Sequence, residues 1–281
     1  TNGTVTKHIN EVLEFPEEWL SRLFFKISFH YKELKRLNIL DKFFINVKAI
    51  RNAGASFTLE LMAYDEIEND IEDIKRVCLE NVGAVCHATI GRNDERKDKA
   101  LLSKHENSEF REIWSSLNSE MTDFKLDVIG IKRKEFCYAG AWSLFVNMYT
   151  GESQPCYWQP YNQNIFAHPE KPIKFVPVGH TCTQPYCTNA HAHMTWGIIP
   201  ELNTPTYCQM RNRTGEDGKE WLTPECKEFF SSKLSESNSE YSKSHQFVHT
   251  CLYPFRLVKW LSRDLKNNIR RMKNYMTRIG K

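Results

Sequence analysis

The sequence predicts an α/β fold: a parallel sheet in its first third, then a small cysteine-rich α+β domain, then a C-terminal helix. Three observations lead there. Segments of period two alternate with segments of helical period over residues 22–92. Cys137, Cys156, Cys182 and Cys187 flank turn-rich sequence, and from Pro254 a helical stripe runs to Ile279.

Taken in order, Phe24–His30 reads as a strand with Phe25, Ile27 and Phe29 on one face and Lys26, Ser28 and His30 on the other. Leu37, Leu40, Phe44, Val47 and Ile50 then form a helical stripe across Leu34–Ala53, which Gly54 ends. Ser56–Ala63 is the next strand, with Thr58, Glu60 and Met62 opposite Phe57, Leu59 and Leu61. A helix over Asp70–Asn81, stopped by Gly83, leads into a strand over Ala84–Ile90. Strand, helix, strand, helix, strand with short connections is the pattern of βαβ units and a parallel sheet. Strands covered on both faces should be nearly all apolar, yet Lys26, Ser28, His30, Glu60 and His87 recur on one face. A barrel or half-barrel lined for a ligand accounts for them, as do strand ends open to water.

Asn93–Lys99 is a charge run of a solvated loop, and Asn107–Phe124 reads as a helix aligning Phe110, Ile113, Leu117 and Met121. After it, Trp142–Tyr149 looks like a strand, and Gly151 supplies the positive φ of a hairpin turn that brings Cys137 and Cys156 together. His191 and His193 read as a pair on an extended strand, as added metal ligands, as hydrogen-bonded structural groups or as substrate contacts, and His180 reads the same way. Thr223 and Pro224 are placed to cap and open a helix, and Ser231–Ser244 reads as a helix followed by a linker. The last helix sets Val258, Leu261, Leu265 and Ile269 against Arg263, Lys266, Arg270, Lys273 and Arg278, a basic amphipathic face suited to docking on its own protein or to contact with a membrane or polyanion.

The chain has 281 residues and a net charge of +3, too near neutrality to argue for nucleic acid. Its nine cysteines are an odd number that fits a secreted disulfide framework poorly. With no signal peptide and no apolar run of about 18 residues, a reducing, cytoplasmic setting is expected. Four cysteines on short connections suit an iron–sulfur cluster or a tetrahedral zinc. Only Cys182 and Cys187 are close in sequence while the other pair spans a hairpin, which favours the cluster.

The run Cys137-x13-Gly151-x4-Cys156, with Cys137-Tyr-Ala-Gly140, Pro155-Cys156, Gln163-Asn164-Ile165 and the later Cys182 and Cys187, resembles the SPASM and twitch extensions of radical SAM enzymes. The Cys-x2-Cys-x5-Cys-x3-Cys block of the fuller SPASM pattern is missing, so the resemblance implies one auxiliary [4Fe-4S] cluster on Cys137, Cys156, Cys182 and Cys187. Thr1-Asn2-Gly3-Thr4 looks like the end of the third barrel strand, and Lys26-Ile-Ser28-Phe-His30 like the fourth. By similarity, residues 1–92 are the second half of a partial (β/α)6 barrel, 93–135 a helical connector, 136–203 the cluster domain and 204–281 a C-terminal extension. Ser28 and His30 would then lie near S-adenosyl-L-methionine, with Glu60 and His87 lining the cavity. The Cys-x3-Cys-x2-Cys loop and the Gly-Gly-Glu-Pro strand of the family are not in this sequence, and it opens without Met. The expectation is therefore the C-terminal part of a longer enzyme, whose remainder would hold a second [4Fe-4S] cluster and S-adenosyl-L-methionine. The resemblance implies a peptide, sugar or other small-molecule substrate and an electron donor such as flavodoxin or ferredoxin. Two other readings stay open, a zinc-stabilised binding module and a plain α/β domain with cysteines in its core.

Overall fold

Alternation of Phe25, Ile27 and Phe29 with Lys26 and Ser28 gives the first strand one apolar face, and only a neighbouring strand of the same pattern can extend that face. The computed structural model, which describes residues 1–159 and 163–279, contains such a sheet. Strands β1 (Phe24–Ser28), β2 (Ser56–Ala63) and β3 (His87–Ile90) lie parallel in the order β1-β2-β3. Residue Thr1 extends the outer side of β1, its amine donating to the Lys26 carbonyl at 2.9 Å and its carbonyl accepting from Ser28 N at 2.9 Å.

Helices α1 (Thr6–Leu13), α2 (Glu17–Leu20), α3 (Tyr31–Arg36), α4 (Leu40–Asn52) and α5 (Ile71–Val82) surround and connect these strands. Phe43, Phe44, Val47 and Ile50 of α4, with Ile74 and Cys78 of α5, share one buried core with Ile27, Phe57, Leu59 and Leu61. The single helix expected over Leu34–Ala53 is in fact two. Asn38 takes φ +53°, and Ile39 N donates to Leu34 O while Asn38 N donates to Lys35 O. That is a Schellman stop, which asparagine tolerates because its short polar side chain reduces the cost of a left-handed conformation.

A second expected helix also divides. Asn107–Phe124 breaks at Asn118, φ +44°, into α6 (Asn107–Trp114) and α7 (Glu120–Val128). The break has a structural reason at the rim of the sheet. Ser119 Oγ accepts from Ala88 N at 3.0 Å and donates to Ala88 O at 2.9 Å, and Thr122 Oγ1 donates to the same carbonyl at 2.9 Å. Side chains at the start of α7 thus satisfy the outer edge of β3 where another strand would otherwise be needed. Further on, α8 (Ala190–His193) replaces the extended strand expected for the two histidines. Residues two apart on a helix point to different sides, so the rings do not share a face. Helix α9 (Pro224–Ser231) begins as expected, with Thr223 Oγ1 accepting from Cys226 N at 3.2 Å.

These elements make up the first of two units, Thr1–Ile131, Pro185–Trp196 and Thr204–Lys233. The second comprises Lys132–Gln184, Gly197–Asn203 and the chain from Leu234. Its sheet is antiparallel, β4 (Phe145–Val146), β5 (Glu152–Gln154) and β6 (Gln163–Asn164). The hairpin expected around Gly151 is present, with φ +74° at that glycine, but its first strand is far shorter than Trp142–Tyr149. Asn147 Oδ1 accepts from Tyr149 N and Thr150 N, so the chain turns instead of extending.

Helices α10 (Leu234–Ser237) and α11 (Lys243–Ile279) complete this unit. The last helix does not start at Pro254 but contains it. Burial of Gln246, whose Nε2 reaches Tyr138 Oη at 3.3 Å, and of His249 against the Phe136 ring holds the earlier turns in place. Among its described side chains Phe255, Val258, Leu261 and Leu265 are exposed, while Arg263, Lys266, Arg270, Lys273 and Arg278 lie outside the described side chains. No helix among the described residues is long and apolar enough to cross a membrane.

The sealed edge of β3 gives a test. Ser119→Ala strands the Ala88 amide and should cost about 2 kcal/mol, whereas Thr122→Val leaves the Ala88 carbonyl still bonded to Ser119 and should cost about 1 kcal/mol or less. Urea unfolding of the two variants checks the order.

Candidate functional site

Parallel register decides which of the expected ligand-facing residues meet. Ser28 pairs with Glu60 and Glu60 with His87, so the three form one row on the polar face of the sheet. Lys26 and Thr58 form the row before it. His30 lies past the end of β1, exposed, where its carbonyl accepts from Leu34 N at 2.9 Å as α3 begins.

Glu60 is not an open carboxylate. It accepts from Arg211 Nη1 at 2.5 Å and pairs with Lys26 Nζ at 3.1 Å. Burial alone would raise its pKa, but Arg211, Lys125 and Lys26 together hold it far below the ordinary carboxylate range. His87 is buried, and burial, reinforced by Arg213 and Arg211, pushes it well below the usual histidine value. The Trp221 ring stands edge-on to it at 6.0 Å.

Two residues that sequence reasoning did not single out, Lys125 and Arg211, complete this face together with His191. Lys125 of α7 donates to Thr89 Oγ1 and is lowered to about 7 by burial, against the pull of Glu60. With Arg92, Tyr186, Cys187 and Thr188 it lines a cavity of about 30 Å³. Arg211 is fully buried, its guanidinium carbon 5.0 Å from the Tyr207 ring. Its Nε and Nη2 have no hydrogen-bond partner of regular geometry among the described residues, and neither has His191 Nδ1. His191 is lowered to about 2, first by burial and then by Lys125 and Arg211. Arg211 lies in a polar stretch that reads as a loop, and Lys125 occupies a position on an amphipathic helix where lysine usually meets water. No local signal marks either one.

The four expected cluster ligands fall into both units: Cys137, Cys156 and Cys182 in the second, Cys187 in the first. Within the second unit, backbone contacts gather the segments that carry the three. Cys137 and Gly179 exchange both backbone hydrogen bonds, at 3.2 and 2.8 Å, and Cys182 follows three residues later. A Cβ on Gly140, φ +93°, would collide with Val176 O and lie 2.5 Å from Pro155 Cβ, directly before Cys156. Glycine is thus required where the Cys137 loop touches the Cys156 loop. Lys132 Nζ donates to the carbonyls of Cys182 and Gln184, both at 2.5 Å, and ties that turn down. All three cysteines are half-buried. Thiolate donors on tightly turning backbone suit a soft metal or an iron–sulfur group.

Of the remaining cysteines, all but Cys251 are packed inside the protein. Cys78 lies against Cys86 in the core, and Cys208 and Cys226 pack with Leu222 and Phe230. Cys251 is exposed on α11. His180 Nδ1 lies 2.8 Å from the Lys134 carbonyl, with the ring edge-on to Phe136. Asp65, Glu68 and His105 bring ligand atoms within 4.8 Å of one another, knit together by the His105–Glu68 contact of 2.8 Å and by Ser103 Oγ donating to Asp65 at 2.6 Å. Comparisons of the chain with family models, curated proteins and solved structures give no match.

Two outcomes follow from this geometry. Gly140→Ala should destabilise the second unit by about 3 kcal/mol, while Gly130→Ala, with φ +75° and nothing within 4 Å of the new Cβ, should cost only about 1 kcal/mol in denaturant unfolding. His87 and His191 stay neutral when folded but take a proton near pH 6.5 when unfolded, so their burial lowers stability as pH falls below about 6.5. The thermal midpoint should drop between pH 7 and pH 5, and His191→Asn should flatten that slope. Glu60, depressed rather than raised, contributes its loss only at more acidic pH.

Proposed function

We propose that this chain is the C-terminal portion of a radical SAM enzyme that modifies a peptide, sugar or other small molecule by hydrogen abstraction. The parallel sheet would be part of its barrel, and Cys137, Cys156 and Cys182 would bind an auxiliary [4Fe-4S] cluster, with Cys187 as fourth ligand on sequence spacing alone. The observation that carries this reading is the joining of the Cys137 loop to both the Pro155–Cys156 turn and Gly179. Packing that demands glycine at 140 and ties down the Cys182 turn through Lys132 is what a preorganised thiolate set requires.

When bound, such a cluster supplies one-electron chemistry or an open iron for a substrate atom. The chain's own residues would do the rest. Ser28, half-buried on the polar row, and His30 beside it would contact S-adenosyl-L-methionine. His87, neutral and buried, would present an uncharged wall, and Glu60 would act through the cations it holds, Arg211 and Lys26. A flavodoxin or ferredoxin would deliver electrons, and a cytoplasmic setting would keep the thiols reduced.

Anaerobic reconstitution with iron and sulfide tests the proposal. The expected result is about four iron and four sulfide per chain with a broad visible absorbance. Serine at Cys137, Cys156, Cys182 or Cys187 should each remove most of it, while Cys226→Ser, in the apolar cluster, should not. Stoichiometric zinc after aerobic purification, with no iron taken up, would instead favour a zinc-stabilised binding module.

A further inference from the structure

The polar face of the parallel sheet holds more positive charge than its carboxylate can match. Lys26 from β1, Lys125 from α7 and Arg211 from the segment before α9 all act on the single carboxylate of Glu60. Arg92, which lines the small cavity with Lys125, is paired with Asp94 at 2.7 Å and is not part of this excess. Buried positive charge without a counterion is costly, and proteins keep it where a ligand brings the missing charge.

Arg211 carries the clearest sign of what is missing. Its Nη1 is bound by Glu60, but Nε and Nη2 are buried with no hydrogen-bond partner of regular geometry among the described residues. Those two N–H groups form the side edge of the guanidinium, a parallel pair matched to two oxygens of one carboxylate or phosphate. Two more polar atoms nearby are buried without a partner, Thr58 Oγ1 and His191 Nδ1. Thr58 stands on the same strand face as Glu60 and in register with Lys26, and His191 feels Lys125, Arg211 and Glu60 directly. Unpartnered polar atoms and the cations that act on Glu60 thus gather on one face of the sheet, and Lys125 also lines a cavity of about 30 Å³, whose walls do not include Arg211, that admits at least a water-sized group.

We infer that this face binds an oxyanion, the carboxylate or phosphate of a small-molecule substrate, with Arg211 Nε and Nη2 as bidentate anchor and Lys125 as second cation. Calling the ligand a substrate rests on the radical SAM reading; the anion site does not. The test therefore uses the iron-free chain without S-adenosyl-L-methionine, so a failed cluster reconstitution leaves its outcome intact.

Thermal midpoint and calorimetric titration with inorganic phosphate, acetate and chloride at matched ionic strength are the measurements. Phosphate or acetate should stabilise the protein saturably where chloride does not. A response led by phosphate marks a phosphorylated substrate, and one led by acetate marks a carboxylate. Arg211→Lys, which keeps the charge but loses the fork, and Lys125→Met should each weaken the apparent affinity about tenfold or more. Where Arg211→Lys fails to fold by circular dichroism, Lys125→Met decides alone. Equal effects of all three salts, or unchanged affinity in the folded variants, would overturn the site. So would S-adenosylhomocysteine binding that disappears in Arg211→Lys, which would assign the fork to the cofactor's own carboxylate.

Discussion

The ion pair between Glu60 and Arg211 is the constraint on which the first unit depends. It joins the middle of β2 to a segment far along the chain, with Arg211 fully buried and the carboxylate 2.5 Å from Nη1. Removing Glu60 would leave the Arg211 guanidinium buried without its counterion, a cost of about 3–5 kcal/mol. The adjoining backbone follows the same logic. Phe57 N donates to Trp221 O, Ser56 Oγ accepts from Thr223 N, and Phe57 stacks on Trp221 at 4.9 Å. The returning segment therefore closes over the start of β2 as well as its charged middle, which fixes the polar face in shape before any ligand arrives.

Much of the sheet was legible because its signal is local. Alternation at Phe25–Phe29 and Phe57–Leu61 specifies strands, and the glycines at 54 and 83 specify where helices end, each adopting positive φ. Thr223 and Pro224 likewise announce a helix start that depends on neighbours three residues away. What was not legible depends on contacts distant in sequence. Asn38 and Asn118 break helices whose apolar spacing continues without interruption, and the second break exists to let Ser119 reach Ala88. Early turns of α11 are held by Tyr138 and Phe136, so the proline that looked like a helix start lies inside one. The histidines at 191 and 193 misled for a related reason. An alternating pattern of four residues is compatible with a strand and with one turn of helix.

The same division separates the two sets of candidate site residues. Cysteines are conspicuous in a sequence, and their spacing around Gly151 draws attention to a hairpin that is present. Yet spacing does not distinguish thiols with structural roles from thiols on exposed turns, and packing does. Cys78, Cys86, Cys208 and Cys226 are buried among apolar groups, whereas Cys137, Cys156, Cys182 and Cys187 are half-buried outside the helices and sheet strands. Lys125 and Arg211 are ordinary surface residue types, and nothing in their neighbours along the chain says that the fold draws them inward. Only the register of β1 with β2, which sets Lys26 beside Thr58 and Ser28 beside Glu60, shows which side of the sheet they must serve.

That side of the sheet is organised at the expense of stability. A lysine lowered to about 7, a histidine lowered to about 2 and a guanidinium edge with no hydrogen-bond partner of regular geometry among the described residues are each unfavourable, and an apolar core of the same volume would avoid all three. Their partners come from different elements, β1, β2, α7, α8 and the stretch before α9, so no single local change relieves them. A surface that needs five elements to assemble and remains under-neutralised once assembled is better explained by what it receives than by what it holds together. An incoming anion would raise the protonated fraction of Lys125, fill the fork of Arg211 and offset the repulsion among three cations in one step, so binding and local stabilisation would be the same event.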